Sequence, residues 1–231
     1  MPPLARQDVR NLVRKLGAHA RPSQQREALM MIARLSVCDD GDLNSLVAIA
    51  AVGAIPPLVQ LGARSSTVQA DAAAALNNLA HDAKNQVTIA AAGAISSLVL
   101  LLGPESTGLV QENAAATLSW LAGTAGNQVT IAAAGAIPPL VQLLGPGSSA
   151  DVQAQAASAL WSLAENADNT ATTVAVGAIP ALVQLLRPCS DDLPKEFAAN
   201  ALSVLGYHAA KNRAAIAEAV DVLEQMERLL I

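Results

Sequence analysis

The stretch Gly135-Ala-Ile-Pro-Pro-Leu-Val-Gln-Leu-Leu decides the fold, because the chain says it four times. The other copies are Gly53-Ala-Ile-Pro-Pro-Leu-Val-Gln-Leu, Gly93-Ala-Ile-Ser-Ser-Leu-Val-Leu-Leu-Leu and Gly177-Ala-Ile-Pro-Ala-Leu-Val-Gln-Leu-Leu. Their glycines are 40, 42 and 42 residues apart. Self-similarity at such a period marks stacked structural repeats. Each copy follows a short apolar stretch, such as Asn127-Gln-Val-Thr-Ile-Ala-Ala-Ala. Each precedes a turn and a longer Ala/Leu segment, such as Val152-Gln-Ala-Gln-Ala-Ala-Ser-Ala-Leu-Trp-Ser-Leu-Ala.

The punctuation has a mechanism. Glycine tolerates the left-handed backbone that ends a helix. Pro56, Pro138 and Pro180 suit a helix start, where a missing N–H costs nothing. Ser96 takes that place in the second copy. Ser66, Ser149 and Ser190 suit N-caps of the third segment. Each unit therefore reads as a short helix, a sharp corner, a medium helix, a turn and a long helix.

Composition agrees. Of 231 residues, 50 are alanine, hydrophobic residues make up 52% and aromatics only 2%. Alanine and leucine favour helices, whereas strands favour β-branched and aromatic side chains. Charged residues make up 14%, below the roughly 25% of ordinary domains. A disordered chain needs the opposite balance. A core poor in aromatics is feasible in a solenoid, where thin layers of Ala, Leu, Ile and Val pack on their neighbours.

The spacing and wording resemble the armadillo repeat: about 42 residues, three helices, the Gly-Ala-Ile-Pro run, then Ala-Leu-x-x-Leu-Ala. The resemblance covers residues 45–211. It implies an all-α, right-handed superhelix with third helices lining a concave groove. Full repeats are expected at 44–84, 85–126, 127–168 and 169–211 within one domain. Residues 4–43 read as a degenerate first repeat, with Val9, Leu12, Val13 and Leu16 on one helix and Ala28, Ile32 and Leu35 on the next. Residues 212–231 read as a terminal cap, with Ala219 where a corner glycine would fall.

On a third helix the buried stripe recurs at three- and four-residue spacing. Val68, Ala72, Ala75, Leu76 and Leu79 fit it, as do Val152, Ala156, Ala159, Leu160 and Leu163. The positions left over form a ladder on one face: Asp71, Ala74, Asn78 and Asp82; Asn113, Ala116, Trp120 and Thr124; Gln155, Ser158, Ser162 and Asn166; Phe197, Asn200, Val204 and His208. The first repeat adds Glu27, Met30 and Arg34. This face is mainly small and polar, so it is expected to be open to solvent. Trp161 lies one residue before a ladder position, where its equivalents are Asn77, Ser119 and Ser203. In importin-α and its relatives the ladder is implied to carry Trp, then Asn four residues on, with the Asn gripping a peptide backbone. Only Asn78 matches that Asn. The Lys/Arg-rich groove implied for β-catenin is not matched either, since the ladder holds only Arg34.

The expected function is a protein-interaction scaffold that holds an extended peptide segment of a partner. The expected contacts are Asp71, Asn78, Asp82, Asn113, Trp120, Gln155, Ser158, Trp161, Ser162 and Asn200, with the aspartates favouring a basic side chain. Other readings are a self-associating structural module, or the substrate-binding arm of a larger protein such as a ubiquitin ligase. No enzyme motif is evident: there is no Gly-x-Ser-x-Gly, and Gly145-Pro-Gly-Ser-Ser lacks a P-loop lysine. No cofactor or metal is expected. His19, His81 and His208 are scattered and read as solvated, and Asp39, Asp40 and Asp42 lack the ligand alternation of a calcium loop.

Net charge is −5. Counted along the chain it is +2 over residues 1–44, −5 over 45–168 and −2 over 169–231. With no basic stripe, nucleic-acid binding is not expected. No apolar run suggests a membrane span or signal peptide. Cys38 and Cys189 read as ordinary thiols in a reducing compartment, cytoplasmic or nuclear. The charged ends suggest a monomer.

Overall fold

The computed structural model describes residues 6–16, 20–35, 53–62, 69–187 and 190–229. Of the residues singled out above, His19, Cys38, Asp39, Asp40, Asp42, Ser66, Val68 and Cys189 lie outside these. So do the side chains of Val9, Arg34 and Leu35. Among the described residues there are fourteen helices and no strand. They group into two compact units, Met1–Leu121 and Ala122–Ile231.

The first unit holds α1 (Arg6–Leu16), α2 (Pro22–Leu35), α3 (Ile55–Gly62), α4 (Gln69–Ala80), α5 (Ala83–Ala91), α6 (Ala94–Leu101) and α7 (Gly108–Leu121). The second holds α8 (Ala125–Ala133), α9 (Ile137–Leu143), α10 (Ala150–Ala164), α11 (Ala167–Ala175), α12 (Ala178–Leu185), α13 (Asp192–His208) and α14 (Ala210–Leu229). The three-helix grammar is visible in each: α5, α6, α7 in the first; α8, α9, α10 and α11, α12, α13 in the second. The second helices have 7 or 8 residues, so they are no longer than the 9-residue first helices.

Every corner turns on a glycine. Gly53, Gly93, Gly135 and Gly177 all have φ between 79° and 89°, the left-handed region that costs other residues strain. The terminal segment shows what happens without one. α14 runs unbroken through Ala219, so the corner expected there is absent: alanine continues a helix where glycine would stop it.

A second device closes each repeat. Asp82, Thr124 and Asn166 occupy the N-caps of α5, α8 and α11. These helices therefore begin two residues before the boundaries at 85, 127 and 169. Behind each cap, side chains reach back to the carbonyls ending the previous long helix. Asn85 Nδ2 donates to Leu79 O at 3.1 Å and Gln86 Nε2 to Ala80 O at 2.8 Å. Gln128 Nε2 donates to Ala122 O at 2.9 Å, and Asn169 Nδ2 to Leu163 O at 3.0 Å. The other turn is clamped likewise: Gln111 Nε2 bonds Leu102 O and Gly103 O, and Gln153 Nε2 bonds Leu144 O and Gly145 O. A helix end leaves carbonyls short of partners, and these amides add a bond to them, beside the backbone bonds that Leu79 O, Gly103 O, Gly145 O and Leu163 O also accept.

The core is built from small residues. Ala72, Ala75, Ala114, Ala156, Ala159 and Ala198 are all fully buried, beside Leu79, Leu118, Leu160 and Leu205. Ala28 and Ile32 of α2 are buried in the same way. Alanine lets helices approach closely, at the packing density of a normal interior. Ser149 caps α10, accepting from Val152 N at 3.4 Å. At α13 the cap is Asp191, one residue after the expected Ser190.

Candidate functional site

The ladder of third-helix residues is described separately in each unit. In the first, α4 lies between α2 and α7 and packs on both. Trp120 of α7 is exposed, with 42% of its surface open. The His81 ring lies against it, centroids 4.4 Å apart and planes tilted by 40°. One helix over, Asn78 is half-buried, and its side chain has no hydrogen-bond partner among the described residues. An amide in that state has bonding capacity to offer a ligand.

Three expected contacts are otherwise engaged. Asn113 is buried, not open: its Nδ2 donates to Leu109 O at 2.8 Å and its Oδ1 accepts from Asn77 at 3.3 Å. The neighbouring helix leans over that rung, and Ala116 is buried for the same reason. Asp82 is the α5 cap, and its Oδ1 accepts from Lys84 N and Asn85 N, both at 3.0 Å. A carboxylate there is held by the helix N-terminus. Asp71 faces Arg26, Nε to Oδ2 at 3.5 Å. Both aspartates thus have partners within the chain, although Asp71 Oδ2 has the ion pair alone and no hydrogen bond.

In the second unit α10 and α13 pack side by side. Gln155, Ser162 and Asn200 are half-buried, and their side chains have no hydrogen-bond partner among the described residues. Ser158 is half-buried and already bonded within the chain. Trp161 is neither core nor free: it is half-buried and stacked on Phe197, centroids 6.3 Å apart and 29° between planes. Such pairs add stability beyond the area they bury.

These contacts define two flanks of a third helix. Asn77 and Trp161 are equivalent positions and both reach forward to the next repeat. Asn113 and Phe197 are equivalent and both face backward. The His81–Trp120 contact and the amide clamps were missed in the sequence. A signal for the clamps existed: Asn85, Asn127 and Asn169 recur at a spacing of 42.

His81 is exposed, but its ring rests against Trp120. The partial desolvation pushes the imidazole below the usual histidine value. A folded pKa below the unfolded one means the unfolded chain binds the proton more readily. Stability is then complete above about pH 6.5 and is lost as pH falls through the folded value. The melting temperature of the wild type should therefore fall further from about pH 8 to about pH 5 than that of His81→Phe. Parallel curves would show that this ring does not couple to folding.

Among the described residues, no three His, Cys, Asp or Glu side chains could share a metal ion. No single described helix is long and apolar enough to cross a membrane.

Residues 124–165 match the family of armadillo/beta-catenin-like repeats. Three solved structures extend the likeness over nearly the whole chain. A crystal structure of an engineered protein is 30% identical, with 96% of this chain and 89% of that one covered and a TM-score of 0.83. A designed armadillo repeat protein is 26% identical, with 91% and 87% covered and a TM-score of 0.82. A computationally designed armadillo repeat protein for modular peptide recognition is 25% identical, with 96% and 91% covered and a TM-score of 0.83. No curated protein matches the sequence. The chain belongs to the armadillo-repeat family, and its fold is the all-α armadillo solenoid.

Proposed function

We propose that this chain is a non-catalytic scaffold that binds an extended peptide segment of a partner protein across the ladder of its third helices. The observation that carries the reading is Trp120. A large aromatic stands 42% exposed in a chain with only two tryptophans, and exposed aromatics are typical anchors of binding energy. Asn78, with an uncommitted amide on the adjacent helix, supplies a bond to peptide backbone. Gln155, Ser162 and Asn200 offer the same chemistry in the second unit. Likeness to a protein designed for modular peptide recognition supports the reading. Because Asp71 and Asp82 are engaged, the proposed ligand is chosen by backbone and apolar contacts and not by its positive charge.

The test is a peptide-library pulldown with the wild type and with an Asn78→Ala, Trp120→Ala variant. Recovery should drop at least about tenfold, as expected for loss of a hot-spot aromatic, while circular dichroism stays unchanged. Equal recovery would dismiss this surface. A variant melting several degrees lower would make Trp120 a packing residue and overturn its role as anchor.

A further inference from the structure

We infer that the chain associates head to tail with a second copy of itself, the open flank of α13 receiving the open flank of α2. The position that faces forward on third helices is fully buried at Ala73, Ala115 and Ala157 but exposed at Ala199. One turn on, Ser203 is exposed, and after it Tyr207 is 83% exposed. Residues i and i+4 share one face, so these three form a continuous flank. It borders a groove of about 560 Å³ whose other wall is Arg213, Ile216 and Ala217 of α14.

The backward flank is uncovered at the other end. Ala75, Thr117, Ala159 and Ala201 are equivalent and fully buried. Their counterpart on α2 is Met31, which is 42% exposed. One turn before it stands Glu27, also exposed. Within each unit, forward and backward flanks already meet, as in Asn77 with Asn113 and Trp161 with Phe197. The same register between copies places Ser203 near Glu27 of the partner copy, with Ala199 and Met31 on the apolar part of the seam.

Charge selects this pairing over two like ends. Glu196, Glu218 and Asp221 are exposed on α13 and α14, against Lys211 and Arg213. Arg14, Arg21 and Arg26 are exposed around α1 and α2; Arg26 pairs with Asp71 and Glu27 with Lys15, which leaves Arg14 and Arg21 to set the sign. The segments 1–44 and 169–231 carry +2 and −2. Opposite potentials favour the head-to-tail encounter and disfavour head to head or tail to tail. The geometry is heterologous, so each copy keeps one flank free.

Light-scattering mass across a concentration series tests this. At low salt the mass of the wild type should rise from one chain, 23.5 kDa, to two or more, and the rise should shrink in high salt. Ala199→Glu and Met31→Glu, both at exposed positions, should each stay at one chain with unchanged circular dichroism. Mixed in equal amounts they should form a one-to-one dimer and nothing larger, because each retains the flank the other lacks. Ser203→Glu, which would face Glu27 of the partner copy, is a second tail variant should Ala199→Glu not fold. A wild type that stays at one chain in all conditions overturns the inference. So does a mixture that does not pair, or a Met31→Glu protein that still self-associates, which would point to a tail-to-tail contact.

Discussion

Asn169→Ala should destabilise the second unit by roughly 1–3 kcal/mol, since it removes two hydrogen bonds of a buried amide, each worth about 0.5–1.5 net. Asn169 is 6% exposed. Its Nδ2 serves two carbonyls, Leu163 O at 3.0 Å and Gln128 O at 3.3 Å. The first ends α10, and the second belongs to α8 in the preceding repeat. Alanine removes the donor to both, although Leu163 O keeps its bond from Asn166 N at 3.3 Å, so the loss is that of the clamp and not of an orphaned carbonyl. The control is Asn166→Ala three residues earlier, which removes the cap bond to Asp168 N at 2.9 Å. Loss of such a cap costs about 1 kcal/mol. Denaturant titration of both variants checks the order. If Asn169→Ala is no worse than Asn166→Ala, the clamp contributes little.

Gly135→Val should cost about 2 kcal/mol, since a left-handed backbone costs an L-residue roughly 1–2 and a β-branched residue more. Gly135 has φ of 82°, and a Cβ built there would meet nothing within 4 Å. Any loss is therefore backbone strain and not a clash. That separates the causes within one series: Gly135→Asn should cost the least, because Asn tolerates this region, then Ala, then Val. Thermal melts of the three variants give the ranking. Equal losses would show that the corner has shifted to another conformation.

The fold was legible because its signals are local. Gly93, Gly135 and Gly177 each announce a corner within a few residues, and the stripe Leu76, Leu79, Leu160 and Leu163 follows from helical period alone. All four leucines are nearly or fully buried. Ladder occupancy was less legible, because it depends on side chains from other repeats. Period places Asn113 on the ladder face but does not reveal Asn77 leaning over it. Asp71 meets an arginine 45 residues earlier in the chain. Asp82 was misread because a helix start at Ala83 turns the last rung of one helix into the cap of the next. Trp161 sits between flank and ladder, so neither the core nor the solvent reading describes it.

The amide clamps have a consequence for inheritance. Gln86, Gln128, Gln111 and Gln153 each reach carbonyls only six to nine residues away. A duplicated segment of one period therefore brings its own inner-turn donor, caps the long helix before it, and is capped in turn by the copy that follows. Unequal recombination at the repeat boundaries would lengthen or shorten the array without orphaning a carbonyl in the flanking copies. The bond from Asn169 to Gln128 O reaches back 41 residues into the preceding repeat. Because donors and carbonyls recur with one period, a repeat copied whole meets matching groups in both neighbours.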